Sequence, residues 1–332
     1  MTHHAVTAPF DHELLDHKIP DIDKEKLEKY CQQIYSIVGR ESIDNEPIQD
    51  DTVSAYYKIS RILYRHFHSL HGAMHLPIAE SPSQKHHEKL LFQAKAIGHF
   101  IQKNSYKQVL ELGCGMGFNG NYLAKKLVNV QFTALDLTPA NLRFAKKNAS
   151  ASGNIHFLQQ NFDELALNST YDLIYSVETL CHSKDIGLLI KKLSKQLNPG
   201  GRIIIFDGYI KSKARNLETS VEKKAYKLMS WGFAMERFQT INEVLEAADQ
   251  SGLQIVQTTD FSKNVLSNLL AFQKGAMHVL NYTWLLKALT RLGILPNALI
   301  KQITAGLLSA YFVRINYIGY YQIELKKGLQ PQ

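Results

Sequence analysis

The stretch "QVLELGCGMGFNG", residues 108–120, constrains this chain more than any other. A short apolar run reads as a buried strand, alternate glycines at 113, 115 and 117 interrupt it, and a helix follows to about Leu127. Glycines at such a junction permit positive φ and let a ligand approach the backbone closely. The same texture then repeats. "VQFTALDL" is a second strand, and Pro139 opens the next helix where its missing N–H costs little. "NIHFLQQ", "YDLIYSVE" and "GRIIIFDG" are strands three to five, with the helix "IGLLIKKLSKQL" and the turn "NPGG" before the fifth. "LQIVQTTDF" and "YIGYYQIEL" read as strands six and seven. Strands alternating with helices specify an α/β, Rossmann-like fold, a mostly parallel, doubly wound sheet whose ligands lie beyond the strands' C-terminal ends.

Two ligands compete for the glycine loop, a dinucleotide and S-adenosylmethionine. Asp136 follows Gly117 by nineteen residues, where a carboxylate can accept both hydroxyls of a ribose in either ligand. The dinucleotide fingerprint spaces its second and third glycines by two residues, whereas this loop reads G-x-G-x-G. Glu111 also stands just before the first glycine. An acid there would repel a pyrophosphate, yet it favours a ligand carrying an ammonium and a sulfonium. The pattern therefore predicts S-adenosylmethionine.

The end of the fourth strand, "DLIYSVETLCHSKD", delivers Glu178, Cys181 and His182 within five positions. In a doubly wound sheet this strand lies beside the first, so Glu178 and His182 fall near the transferable methyl group. Two readings stay open: a pocket acid and base, or a helix-capping acid with a locally satisfied histidine. Cys181 reads as a small buried hydrophobe. In "HFHSLHGAMH", His68, His71 and His75 share a helical face, but no carboxylate or cysteine completes a zinc site, and no metal is expected. A helix packed over the cofactor with His75 pointing inward is the reading adopted.

Charge is distributed unevenly. The net is +8, yet residues 1–50 carry five Lys/Arg against eleven Asp/Glu, and residues 262–332 carry eight against one. The basic C-terminal segment is also rich in Leu, Ile, Phe and Tyr, which points to an anionic amphiphile, a membrane surface, or a buried layer with a basic rim. No nucleic-acid-binding module is recognisable. Three scattered cysteines, no secretory leader pattern and no spanning apolar run favour a cytoplasmic, membrane-peripheral at most, location.

Over residues 85–260 the chain resembles the class I S-adenosylmethionine-dependent methyltransferases. The resemblance implies that Glu111, Gly113, Gly115 and Gly117 cradle the methionine part, Asp136 the ribose, and Leu137 the adenine. After strand three, "QQNFDEL" puts Asn161 where the family usually has an Asp near the adenine amino group, with Phe162 beside it; Asp163 is the alternative. "YSVETLCHSKD" further resembles the strand-four motif of sterol, tocopherol and terpenoid C-methyltransferases. "SAYYKISRILY", "LHGAMHLP" and "AESPSQKHHEKLL" are similar to their N-terminal segments.

Such chemistry would use an alkene that attacks the methyl carbon and leaves a carbocation, steadied by aromatic faces and a carboxylate and quenched by a base. Tyr56, Tyr57, Phe67, Tyr209 and Trp231 are the candidate lining. Glu178 is the candidate carboxylate and His182 the candidate base, with the roles reversible. The resulting organisation is a helical cap (1–84), a Rossmann-like core (85–261), a helical insertion (262–316) roofing the pocket or resting on a membrane, and a last strand with tail (317–332). The expected activity is methylation of a hydrophobic, isoprenoid-like or lipid-like small molecule, most simply at carbon. The alternatives are O- or N-methylation of a small aromatic or amine metabolite, and a non-enzymatic binding protein on the same scaffold. The basic insertion could also meet a phosphate-bearing substrate such as a prenyl diphosphate.

Overall fold

A computed structural model describes residues 6–7, 22–46, 69–81, 83–149, 151–165, 169–214 and 216–329. The seven expected strands form, at Gln108–Leu112 (β2), Gln131–Asp136 (β3), Ile155–Gln159 (β4), Tyr171–Val177 (β5), Leu197–Ile210 (β6), Leu253–Asp260 (β7) and Ile318–Lys327 (β8). A two-residue strand that the sequence does not announce, Val6–Thr7 (β1), pairs with β7 at the edge. The sheet order is β1-β7-β8-β6-β5-β2-β3-β4, with β8 antiparallel to both neighbours and every other pair parallel. β5 sits centrally and is buried on both faces, which is why "YDLIYSV" is nearly continuous in apolar residues. β4, at the edge, alternates and exposes His156 and Leu158.

The helices follow from apolar spacing and capping. Helix α1 spans Lys24–Val38, with the Asp23 carboxylate accepting the Lys26 amide at 2.8 Å. The short α2 is Arg40–Asp44, and α3 (His86–Leu90) and α4 (Phe92–Asn104) form from "KHHEKLLFQAKAIGHFIQK". Then come α5 (Phe118–Lys126), α6 (Pro139–Lys147), α7 (Ile186–Gln196), α8 (Ser220–Gly232) and α9 (Ile241–Gln250). Thr219 and Thr240 open α8 and α9 with reciprocal capping boxes to Glu222 and Glu243. Between β7 and β8 lie three helices, α10 (Ser262–Leu280), α11 (Thr283–Arg291) and α12 (Asn297–Arg314).

Three apolar clusters hold these layers together. One face of the sheet packs on α4, α5, α6 and α10 through Ile97, Leu123, Leu142 and Leu269. The other packs on α7 and α9 through Ile190, Leu193, Val244 and Ala248. A third cluster joins α1, α8 and α10–α12 around Leu27, Leu228, Leu307 and Phe312. Gly232 lets α8 approach α12: a Cβ there would press on the Ala305 nitrogen and Lys301 carbonyl at 2.9 and 3.0 Å.

The helix expected across "HFHSLHGAMH", residues 66–75, is corrected at its end. Residues 51–68 lie outside the described residues, and 69–76 run as a turn and irregular chain, not a helix. Gly72 takes φ +85 there and packs against Met116 and Phe144, so the segment crosses the glycine loop as a strap.

Candidate active site

The strands deliver their C-terminal ends to one cavity of about 500 Å³, a size typical of small-molecule sites. Gly113, Gly115, Asp136, Leu137, Asn161 and Phe162 line one part of it. Gly113 sits at φ +62, and a Cβ would run into the Thr179 side chain, so no other residue fits without displacing β5's end. The Gly115 amide donates to Asp136 Oδ2 and the Thr138 amide to Oδ1, each at 2.8 Å, with the Asn141 amide group at 3.3 Å. These bonds aim the Asp136 carboxylate across the loop, although burial raises its pKa. Gly117 is a correction: it does not line the cavity. At φ +78 it starts α5, with Ala145 so close that a Cβ could not be fitted. Its role is packing.

Glu111 is buried on the cavity wall, and its Oε2 has no hydrogen-bond partner. Burial pushes its pKa up to about 8. Asn161 Oδ1 accepts the Asp163 amide at 2.9 Å and so caps the turn after β4. Asp163 also reaches the cavity but is committed to Ser183 (2.7 Å) and the Lys184 amide (3.1 Å), tying this turn to the one after β5.

Glu178 and His182 both line the cavity. Glu178 has φ +51, a left-handed conformation that costs energy in a non-glycine residue. Its amide donates to the Phe206 carbonyl at 2.7 Å, and its Oε1 accepts the Leu76 amide at 2.6 Å and the Tyr320 hydroxyl at 2.9 Å. Burial, with Asp207 nearby, pushes its pKa up to about 8. His182 ends a single 3₁₀ turn, Leu180–His182, and burial lowers its pKa to about 4, so the imidazole is neutral at pH 7. Cys181 carries a thiol raised well above its ordinary value, which makes it a poor nucleophile.

Four cavity residues, Asp207, Tyr320, Met74 and Leu76, were not legible in the sequence. Asp207 accepts the Thr179, Cys181 and Gly208 amides and braces the Glu178–His182 turn. Burial pushes its pKa up to about 6. Tyr320, from the last strand, and the Met74–Leu76 strap supply the partners and roof of Glu178. Five acids thus line the cavity, Glu111, Asp136, Asp163, Glu178 and Asp207, with no Lys or Arg among the described lining residues. Asp207 is charged at pH 7, and Glu111 and Glu178 gain charge as pH rises through about 8, so the site favours a cation that draws out their charged forms. The remaining wall is apolar: α8 gives Met229, α10 gives Leu269 and Phe272, and α12 gives Ile303 and Val313.

The predicted aromatic lining is corrected in part. Tyr209 lies fully buried on the opposite sheet face with Ile203, Ile205 and Val244, because alternation along β6 turns it away from Gly208. Trp231 belongs to the helical layer, where its indole donates to Glu46 at 2.6 Å and Lys301 stacks 5.2 Å from its ring. Phe233, Met235 and Phe238 line the cavity beside it. Tyr56, Tyr57 and Phe67 lie outside the described residues. His75 does line the cavity, its Nε2 3.0 Å from the Leu90 carbonyl and its ring tilted against Phe118. Of the other histidines His71 is exposed, while His66 and His68 are outside the described residues.

The family described as "Methyltransferase domain" matches residues 103–270, half of the chain. A malonyl-[acyl-carrier protein] O-methyltransferase of Priestia megaterium is 34% identical over 96 residues, covering 29% of this chain and 35% of that protein. The chain spans between 34% and 64% of the length of the eight curated relatives compared. The mycolic acid cyclopropane synthase CmaA1, solved with SAH and CTAB, superposes with a TM-score of 0.68 at 14% identity, over 86% of this chain and all of that one. A geranyl diphosphate methyltransferase solved with GPP and sinefungin superposes at 0.59 and 13%, over 84% and 99%. These likenesses establish the fold.

Proposed function

The chain belongs to the methyltransferase-domain family, and on that premise we propose that it methylates a hydrophobic, isoprenoid- or lipid-like small molecule, most simply at carbon. S-adenosyl-L-methionine is its cofactor, and it supplies an electrophilic methyl group on a sulfonium. The residues fit it. Glu111, whose Oε2 is unpartnered, would meet the ammonium; Asp136 would hold the ribose; Leu137, Asn161 and Phe162 would hold the adenine. Gly113 and Gly115 keep the loop thin enough for that approach.

One observation carries the acceptor class: a cavity with five acids and no Lys or Arg among its described lining residues, closed by apolar side chains of α8, α10 and α12. That wall offers nothing to a diphosphate. It suits an uncharged chain that becomes cationic only during reaction. In the proposed step the alkene's π pair forms the new carbon–carbon bond, and the carbon–sulfur pair leaves with sulfur. The acceptor is left a carbocation, which Asp207, charged at pH 7, stabilises electrostatically, joined by Glu178 as it ionises toward pH 8. Neutral His182 then accepts the proton whose bonding pair restores the alkene. The lid excludes water that would otherwise trap the cation.

A second reading is O-methylation, favoured by the neutral His182, which could equally take a hydroxyl proton, and by the name of the Priestia relative. Radiolabelled methyl transfer to a free prenol, its diphosphate, a phenol and an amine separates the readings. The proposal expects the prenol to be labelled at carbon and the diphosphate to be a poorer acceptor. Labelling confined to the phenol or amine would overturn it. The insertion is also proposed to give the chain peripheral contact with a membrane.

A further inference from the structure

Five of the eleven large apolar side chains exposed among the described residues fall within positions 282–294. They are Tyr282, Trp284, Leu285, Leu292 and Ile294, with Trp284 and Leu292 each 71% exposed and Ile294 64%. Scattered exposed apolar residues are ordinary, but a contiguous cluster is not. Nor is this a frayed loop. Leu286 is buried, and Gln33 of α1 donates to the Leu280 carbonyl and to the Thr283 hydroxyl, fixing the start of α11 against α1.

The surroundings select the partner. Residues 262–316 contain six Lys/Arg and no Asp or Glu. One of the six, Lys301, is buried and paired with Glu46, whereas Lys274 and Arg291 are exposed and Lys287 is partly so. An apolar tip with Trp and Tyr, flanked by Lys274, Lys287 and Arg291, has the composition of a surface that sits at a lipid headgroup boundary. No helix among the described residues is long and apolar enough to cross a membrane.

We propose that the α11 tip, Tyr282 to Ile294, docks the chain on an anionic lipid bilayer, lying in the interface without crossing it. The docking surface and the cavity share helices. Val279, three residues before Tyr282, and Leu299, five after Ile294, both line the cavity. A lipid-soluble acceptor would therefore pass from bilayer to cavity between α10 and α12. That passage rests on the function proposed above; the docking does not.

The test is co-sedimentation of the full chain with vesicles of phosphatidylcholine alone or mixed with phosphatidylglycerol at roughly 3:1. Binding is expected with the anionic vesicles, weakened by high salt and accompanied by a blue shift of Trp284 emission. The combined Trp284→Ser, Leu292→Ser, Ile294→Ser variant should bind at least about tenfold less, as should Lys287→Glu with Arg291→Glu. Calorimetric S-adenosylmethionine affinity, unchanged in both variants, verifies folding independently of vesicles and of methyl transfer. Failure of the wild type to bind anionic vesicles would overturn the proposal, as would variants that bind as well as it does. So would a dimer that these substitutions dissociate, which would assign the patch to a second copy.

Discussion

The Tyr320 hydroxyl donates to Glu178 Oε1 at 2.9 Å, joining residues 142 positions apart at the mouth of the sheet. Glu178 comes from the turn after β5 and Tyr320 from β8, the strand that the α10–α12 insertion precedes. The bond therefore couples the lid's return strand to the candidate carboxylate. Above pH 8, where Glu178 is charged, Tyr320→Phe removes a bond worth ~1.5–3 kcal/mol. Methyl transfer should fall roughly tenfold to a hundredfold, with cofactor affinity unchanged by calorimetry. An unaltered rate would show that the bond is only structural.

Glu178→Gln and His182→Ala should each lower the turnover number by about 10²–10⁴ if they steady the cation and take the proton. Steady-state rates at saturating cofactor check this. Glu178 also makes a pH signature. Its folded pKa, about 8, lies above the ordinary value of 4.5. The stability it contributes is full below about pH 4.5 and is lost as pH rises through 8, because the unfolded chain gives up the proton first. His182 runs the other way: its folded pKa is lowered to about 4, so its contribution is present above 6.5 and lost on acidification. Glu178→Gln should therefore melt higher than the wild type at pH 8.5, with a shallower decline from pH 5.5 upward.

Glu111 predicts a proton count. With a pKa of about 8 it is mostly protonated at pH 7, and a ligand ammonium would draw out its charged form. Binding of S-adenosylmethionine at pH 7 should release up to about one proton, read from calorimetry in two buffers of different ionisation heat. Glu111→Gln should abolish that release and weaken binding about tenfold or more.

Much of this was legible in the sequence. The strand–helix alternation from Lys107 onward located all seven main strands. The positions of Glu111, Asp136, Glu178 and His182 around one cavity follow from where strand ends must lie in a doubly wound sheet. What failed was orientation and long-range partnership. Tyr209 carries an aromatic ring, but alternation with Gly208 places it, together with Ile203 and Ile205, on the far face. Trp231 is drawn away by Glu46, 185 residues earlier, a partner no local pattern announces. The positive φ of Glu178 and its bonds to Leu76 and Tyr320 exist only after the chain has closed on itself.

Gly306 tests the acceptor part of the cavity. It packs on Phe272 where α12 meets α10, and both residues line the cavity space beside that contact. Gly306→Leu would fill that space, at a cost of roughly 1–3 kcal/mol to anything occupying it. Transfer to a long prenol should drop about tenfold or more, while cofactor affinity holds. Equal losses for long and short acceptors would contradict an extended apolar chamber.

The central claim is that the ribose of S-adenosylmethionine is held by Asp136 beside the Gly113–Gly115 turn. Calorimetric titration of that compound into the wild type and Asp136→Ala addresses it directly. The account predicts one-site binding by the wild type and at least about a hundredfold weaker binding by the variant, since two charge-assisted hydrogen bonds are lost. No binding by the wild type, or equal affinity in the two proteins, would contradict it.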